Sequence, residues 1–162
     1  KLRPDIELKD IRGNVGTRIN KLKNGEFDAI ILAYAGLKRL KIKEYYEKIE
    51  IKKMIPSPGQ GVIAIVIRKD DDLLSLLERL NDQKTLIESE CERTFLSALD
   101  GSCETPIGAL ALLEINPKPK ILFHYMAASI DGKKFIKDKT YFEIDNCCKM
   151  SFDLGKKIKK ML

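Results

Sequence analysis

Histidine is nearly absent from this sequence, and its cysteines lack the spacing of a metal site. The 162 residues contain one His, His124, and four Cys: Cys91, Cys103, Cys147 and Cys148. No Cys-x-x-Cys pair occurs and no His stands at zinc-ligand spacing, so the pattern excludes a zinc site. A Ser-His-Asp arrangement cannot be argued from a single His in a predicted strand. Cys147 and Cys148 are adjacent and awkward to pair with each other, so we expect a reducing compartment rather than a disulfide scaffold.

Long apolar runs are missing as well. The chain is 44% hydrophobic and 33% charged, which is a globular composition, and no stretch is long enough to span a bilayer. The formal net charge of +6 favours an anionic partner. Only seven of the 30 basic residues are Arg, and most of the Lys scatter over predicted polar helix faces, as on a solvated surface.

Hydrophobic periodicity predicts an α/β chain. Continuous or alternating apolar runs predict six strands, near residues 7–9, 27–33, 62–67, 107–115, 121–130 and 134–142. Helical spacing predicts helices after residue 14, after Gly36, over residues 73–80, over residues 82–99 and from Asp145 or Asn146 to Leu162. The acidic run at residues 70–72 is expected to cap the third of these helices. The fourth helix, the last three strands and the last helix form a small α+β domain.

The turn before the first helix is a candidate anion site. Residues 10–18 read Asp-Ile-Arg-Gly-Asn-Val-Gly-Thr-Arg, a Gly-containing turn that leads into a helix. Backbone N–H groups at a helix start lack internal partners and carry partial positive charge. Arg12 and Arg18 add planar guanidinium groups that bind carboxylates in a bidentate manner. The turn is neither a Gly-x-Gly-x-x-Gly loop nor a P-loop, so nucleotide binding is not indicated.

The loop at residues 100–108 contains the candidate reactive thiol. Gly101 can take a positive φ that ends the preceding helix, and Pro106 prevents the helix from resuming. Cys103 is therefore expected near a turn, where its sulfur can face a cleft. On local grounds alone a buried structural Cys is the commoner outcome.

Four stretches resemble porphobilinogen deaminases (hydroxymethylbilane synthases). The loop Gly-Ser-Cys-Glu-Thr-Pro-Ile-Gly is similar to that family's cofactor-attachment loop, Gly-Gly-Cys-Gln-Val-Pro-Ile-Gly, although Ser102, Glu104 and Thr105 differ from it. The turn at residues 10–18 is nearly the family form. Asp-Ala-Ile-Ile-Leu-Ala followed by Ala-Gly-Leu-Lys-Arg-Leu matches a third block, which contains Arg39, and residues 55–61 stand where the family has Pro-Ala-Val-Gly-Gln-Gly.

The resemblance implies the carboxyl-terminal part of such an enzyme. The fold expected is part of a two-lobed, periplasmic-binding-protein-like α/β unit followed by a small α+β domain with a three-stranded antiparallel sheet and flanking helices. Residues 1–57 would be the later part of domain 2, residues 58–81 a return segment that completes domain 1, and residues 82–162 domain 3. Because the chain opens at Lys1 without Met, we expect that an amino-terminal part is missing or present as a separate chain.

The family's reaction supplies the expected roles. Porphobilinogen deaminases are transferases that join four porphobilinogen molecules into hydroxymethylbilane, in tetrapyrrole and heme biosynthesis, on a dipyrromethane primer. By resemblance, Cys103 would hold this dipyrromethane cofactor through a thioether, and Arg12, Arg18 and Arg39 would bind its acidic side chains. No stretch matches the family's catalytic Asp motif, so no catalytic residue is assigned in this chain, and the fragment alone is expected to be inactive. The complete enzyme would be a monomer that binds neither nucleic acid nor membrane.

Two other functions fit parts of the pattern. The strand-turn-helix units also suit a two-lobed protein that binds small anions without chemistry. A basic nucleic-acid-binding module is the third class, but Tyr45 and Tyr46 are a thin basis for base stacking. The compartment is open between cytoplasm and plastid. The bias toward Lys, Ile and Asn is typical of AT-rich coding, which is compatible with an organelle such as a plastid.

Overall fold

The computed structural model describes residue 3 and residues 5–69, 72–101 and 106–162, and the chain divides into two units. The first unit is Lys1–Lys48 and the second is Ile49–Leu162. Among the residues described, no helix is both long enough and apolar enough to cross a membrane.

The first unit contains two short helices, α1 (Val15–Lys23) and α2 (Tyr34–Arg39). Asn14 caps α1, since its side-chain oxygen accepts a hydrogen bond from the Thr17 backbone N–H at 2.9 Å. Lys21 and Lys23 lie in the last turn, where positive charge complements the helix dipole. The helix predicted after residue 14 is therefore confirmed.

The second unit is built from a three-stranded antiparallel sheet in the order β1-β2-β3. The strands are β1 (Ile107–Glu114), β2 (Lys120–Ala128) and β3 (Phe135–Glu143). A turn that contains Gly132, at φ +66°, joins β2 to β3. The sheet confirms the three strands predicted in this region and the small α+β domain with flanking helices.

Three helices accompany the sheet. They are α3 (Leu74–Leu77), which continues into a 3-10 helix over Glu78–Leu80, then α4 (Gln83–Ala98), and α5 (Cys147–Lys159), which follows a 3-10 turn over Ile144–Asn146. Asp82 caps α4 by accepting a hydrogen bond from the Thr85 N–H at 2.7 Å. Asp70 and Asp71, which were predicted to cap α3, lie outside the described residues.

The core lies where α4 and α5 pack on one face of the sheet. In β2 burial alternates strictly, so residues 121, 123, 125 and 127 face the helices. Phe95 of α4 meets Phe123 of β2 edge-on, with ring centroids 5.3 Å apart, and both side chains are fully buried. Cys91 is also fully buried, so it fills the core.

Three predicted strands do not form. Residues 5–69 are described without a gap and contain no β-strand, although strands were predicted over residues 7–9, 27–33 and 62–67. A strand requires a hydrogen-bonded neighbour, and a run that is apolar on both faces requires cover on both. Among the described residues, these segments have neither a neighbouring strand to pair with nor cover on both faces. Several of their side chains are consequently exposed, among them Ile31, Ile63, Ile65 and Val66.

Candidate cofactor-binding site

The turn before α1 is held in one conformation by its own side chains. Gly13 has φ +115°, a conformation that L side chains rarely adopt, and a Cβ there would lie 2.9 Å from the Thr17 Cγ2. The Asn14 side-chain oxygen accepts hydrogen bonds from both the backbone N–H and the hydroxyl of Thr17. The turn therefore needs Gly at position 13, and it presents the first turn of α1 in a fixed orientation.

Arg18 is anchored to this turn. Its Nε donates a hydrogen bond to the Gly13 carbonyl oxygen at 2.7 Å, and the side chain is half-buried. A guanidinium group has five N–H donors, and this contact uses only the one on Nε. The four N–H donors on the two terminal nitrogens are not used by it. Because Arg18 is anchored through Nε, its two terminal nitrogens can still bind a carboxylate in a bidentate manner.

Arg12 and Arg39 are exposed, and neither has a partner among the described residues. Arg12 precedes the turn, and Arg39 is the last residue of α2. Within the part of the chain that the structure describes, neither side chain makes a hydrogen bond or an ion pair. Both charges are therefore available to an anionic ligand.

The start of α2 comes close to the start of α1 at one point. A Cβ on Gly36 of α2 would lie 3.6 Å from the Cγ2 of Val15, the first residue of α1. This contact places α2, which ends at Arg39, beside the amino-terminal turn of α1. All three predicted arginines consequently belong to one small unit.

The structure adds Tyr34 to this unit, a residue that sequence reasoning did not single out. Tyr34 begins α2, its ring centroid is 5.5 Å from that of Tyr46, and the Lys48 Nζ lies 4.2 Å from the Tyr34 centroid. A hydrogen bond from Tyr46, with a further contribution from Lys48, lowers the pKa of the Tyr34 phenol. Its position at the end of an apolar run was the available signal, because ligand groups often follow such runs.

Cys103 lies outside the described residues, but both ends of its loop are described. Asp100, and not Gly101 as predicted, takes the positive φ at the end of α4, at +49°. The Asp100 carboxylate pairs with the Lys159 ammonium of α5. A Cβ on Gly101 would lie 2.5 Å from the Leu96 Cδ1 and 2.6 Å from the Ile107 Cδ1, so a larger residue here would require these two side chains to move. At the other end, the Pro106 carbonyl oxygen accepts a hydrogen bond from the Ala128 N–H at 3.0 Å.

The three described thiols are structural. Cys91 and Cys147 are buried, and Cys148 is half-buried. Burial, followed by the neighbouring Cys147, raises the pKa of the Cys91 thiol far above its usual range. Burial and the adjacent Cys148 also raise the pKa of Cys147. A thiol must ionise to react as a nucleophile, so neither buried Cys is a candidate for modification.

The other polar candidates are His124 and the possible metal ligands. Burial, and then Lys139, lower the pKa of His124, which favours the neutral imidazole. The residues described include no cluster of His, Cys, Asp and Glu side chains that could hold a metal ion.

Comparison with known proteins identifies the family. Residues 1–75 match the family model described as "Porphobilinogen deaminase, dipyromethane cofactor binding domain", and residues 86–162 match "Porphobilinogen deaminase, C-terminal domain". The chain belongs to the porphobilinogen deaminase family. It corresponds to the carboxyl-terminal portion of the proteins in that family. The first match contains Arg12, Arg18 and Arg39, and the second contains Cys103.

Individual porphobilinogen deaminases are similar along nearly the whole chain. One from a Nitratiruptor species is 48% identical over 161 residues, which are 97% of this chain and 49% of that protein. One from Roseiflexus castenholzii is 46% identical over 134 residues, 82% of this chain and 43% of that protein. A probable porphobilinogen deaminase from Hyperthermus butylicus is 37% identical over 161 residues, 99% of this chain and 52% of that protein. The chain spans about half the length of these curated relatives.

Proposed function

We propose that the chain acts as the carboxyl-terminal portion of a porphobilinogen deaminase, the transferase that joins four porphobilinogen molecules into hydroxymethylbilane with loss of ammonia. The observation that carries this proposal is the pair of family matches over residues 1–75 and 86–162. The fixed turn with Arg18 supports it from the structure, as do the guanidinium groups of Arg12 and Arg39, which have no partner in the described part of the chain.

The proposed domain arrangement follows the family. Residues 1–57 form the later part of domain 2, residues 58–81 complete domain 1, and residues 82–162 form domain 3, the first two domains making a two-lobed unit. The exposed apolar side chains of residues 62–67 support a role for this segment as a strand in a sheet completed by other residues. The amino-terminal part, supplied within a longer protein or as a separate chain, would provide those residues.

The donor set of the first unit fits a dipyrromethane cofactor. Each pyrrole ring of this group carries acetate and propionate side chains, so the ligand presents several carboxylates. Arg12 and Arg39 are exposed without partners among the described residues, and Arg18 is held through its Nε with its terminal nitrogens remaining. Guanidinium groups bind carboxylates strongly without transferring protons at neutral pH. We assign these three residues to binding and orienting the cofactor and the growing chain.

Cys103 is the proposed point of covalent attachment. The other three thiols are wholly or partly buried, and the pKa of two of them is raised, which favours Cys103 as the residue available to form a thioether. When bound, dipyrromethane supplies the primer to which porphobilinogen units are added. Tethering holds the acceptor in place and replaces a bimolecular encounter by a positioned one.

No catalytic group is assigned in this chain. The family's catalytic Asp belongs to its first domain, and no stretch here matches that motif. Asp10 and Asp28 are exposed, and nothing around them supports a catalytic role. The proposed enzyme therefore requires the amino-terminal part for turnover, and the chain alone would be inactive.

Intact mass spectrometry tests this function. The chain is co-produced with the amino-terminal half of the Nitratiruptor relative, and the mass of the 162-residue chain is then measured. We expect a covalent dipyrromethane adduct on the parental chain, no adduct on Cys103→Ser, and an unchanged adduct on the matched control Cys148→Ser. An unmodified parental chain, or a Cys103→Ser chain that still carries the adduct, would show that the assignment is wrong.

A further inference from the structure

Residues 52–59, which we call the strap, are bound to the second unit at three separate places. The Lys137 Nζ of β3 donates hydrogen bonds to the backbone carbonyl oxygens of Lys52, at 2.5 Å, and Lys53, at 3.0 Å. The Ala109 N–H of β1 donates to the Pro56 carbonyl oxygen at 3.0 Å. The third contact comes from Glu92 of α4. The strap is therefore part of this unit and not a free linker.

The sequence of β1 accommodates the strap. A Cβ on Gly108 would lie 2.8 Å from the Ile55 carbonyl oxygen, so only Gly permits this approach. Ile55 itself is 5% exposed, although the residues on either side of the strap are largely exposed. The close approach and the burial both indicate specific packing.

Glu92 of α4 makes the third contact. Its side chain is buried, with the residue 6% exposed, and its carboxylate binds two segments at once. One oxygen, Oε2, accepts a hydrogen bond from the Gly59 N–H of the strap at 2.7 Å. The other, Oε1, accepts from the Ala111 N–H of β1 at 2.9 Å. A single carboxylate thus ties a helix, an edge strand and the strap together.

Glu88 provides an internal comparison. It lies one turn earlier on α4, and its Oε1 accepts a hydrogen bond from the Leu113 N–H of β1 at 2.7 Å. Four helix residues rise about 6 Å, and two strand residues rise about 6.6 Å, so the two carboxylates match alternate N–H groups of the strand. Glu92 also reaches the strap, whereas the second neighbour of the Glu88 carboxylate is the Lys84 Nζ of its own helix, 3.8 Å away.

We propose that Glu92 is a positioning residue that fixes the strap to the domain carrying the Cys103 loop. The proposal rests on the proposed function in one respect, namely that this domain holds the cofactor. In the sequence the three arginines precede the strap and Cys103 follows it. Anchoring by Glu92 therefore fixes, on the cofactor-carrying domain, the end of the strap at Gly59.

Amide hydrogen exchange, followed by NMR on the ¹⁵N-labelled chain, tests the anchor. In Glu92→Ala we expect the Gly59 and Ala111 amides to exchange about tenfold faster, the effect of losing a hydrogen bond, while Leu113 is unchanged. The Ala109 amide, which donates to the Pro56 carbonyl oxygen of the strap, should also exchange faster because the strap is released. The matched control Glu88→Ala should accelerate Leu113 and leave Gly59 unchanged. Unchanged exchange of Gly59 in Glu92→Ala, or equal acceleration of all four amides in both variants, would overturn the proposal.

Glu92→Gln keeps the side-chain volume and preserves the test if the Ala variant does not fold. Its amide nitrogen cannot accept a hydrogen bond, so either Gly59 or Ala111 should lose protection.

The pH dependence adds a signal that packing alone would not produce. Burial raises the pKa of Glu92, against the lowering effect of its two hydrogen bonds, and Glu88 is the other charged residue that lines the adjoining cleft.

In the parental chain the Gly59 and Ala111 amide shifts should therefore titrate together, with a midpoint above the usual Glu value of about 4.3. In Glu92→Gln this shared titration should be absent. Shifts that titrate unchanged in that variant would contradict the anchor. The exchange and titration results decide the role of Glu92, whereas the cofactor adduct measured by intact mass decides the proposed function, so either can fail alone.

Discussion

At the scale of single residues, glycines set how closely the elements of the second unit approach. Gly108 lets the strap pass over β1, and Gly155 lets α5 lie against α4. A Cβ on Gly155 would lie 2.6 Å from the Ala98 Cβ and 2.9 Å from the Phe95 carbonyl oxygen, and the backbone cannot move aside cheaply. The helix crossing therefore depends on this residue.

Gly155→Ala should destabilise the second unit. Alanine improves helix propensity by about 0.5–1 kcal/mol, but overpacking at a tight contact costs about 1–3 kcal/mol, so the loss should dominate. Urea denaturation followed by far-UV circular dichroism measures the free energy of unfolding.

The matched control for this change is Gly16→Ala in α1. A Cβ on Gly16 would meet only the Asn14 Oδ1, at an ordinary 3.5 Å. That variant should be unchanged or slightly more stable. A Gly155→Ala chain as stable as the parent would show that α4 and α5 can separate without cost.

At the scale of elements, capping residues fix where the helices begin. Asp82 starts α4, the helix that carries Glu92 and leads to the Cys103 loop. The hydrogen bonds that its carboxylate accepts from the Thr85 backbone and side chain lower the pKa of Asp82. Because the folded chain favours the ionised form, this contribution is present at neutral pH and is lost as the pH falls below the usual Asp value.

Asp82→Ala should therefore lower the thermal midpoint of the second unit at pH 7, and the deficit should shrink at about pH 3, below the usual Asp pKa. Asp82→Asn is the control, since Asn caps helices about as well as Asp but carries no charge. Its midpoint should stay close to that of the parent at pH 7. A deficit in Asp82→Ala that is equal at both pH values would contradict a role for the ionised carboxylate.

The elements that could be predicted from sequence are those with a clear hydrophobic pattern whose packing or pairing partner also lies in this chain. The alternation in β2 and the helical spacing of α4 predicted elements that bury a face against each other, and both formed. The runs at residues 27–33 and 62–67 carry an equally clear strand pattern, but pairing decides whether a strand exists, and the pattern does not reveal the partner.

In the candidate site, too, features with local causes could be predicted from sequence, and features that depend on distant partners could not. The turn that holds Arg18 was evident because Gly, Asn and Thr have local backbone roles. Glu92 gave no comparable signal, since its partners are the N–H groups of Gly59 and Ala111, 33 and 19 residues away. The assignments of Arg12, Arg18, Arg39 and Cys103, and the domain boundaries, remain predictions.

At the scale of the whole molecule, the chain carries apolar surface that its own described elements do not cover. The segment at residues 62–67 exposes Ile63 by 73% and Val66 by 91%, and it belongs to no strand of the described sheet. An apolar segment with open backbone hydrogen-bonding groups is a template for pairing with another chain. The chain also spans about half the length of its relatives, so the proposed occupant of this surface is the amino-terminal half of such a protein.

The double change Ile63→Lys with Val66→Lys should separate folding from assembly. Both side chains are largely exposed, so the free energy of unfolding of the chain should change by no more than about 0.5 kcal/mol. Self-association, followed by sedimentation velocity over a range of concentrations, should decrease, because two charges replace apolar contacts. Co-purification with the amino-terminal half of the Nitratiruptor relative should be lost.

The control is Ile130→Lys, at a side chain that is 97% exposed in the β2–β3 turn, and it should retain both self-association and co-purification. Undiminished co-purification of the double variant would place the contact surface elsewhere, and a large loss of stability would mean that residues 62–67 already pack within this chain.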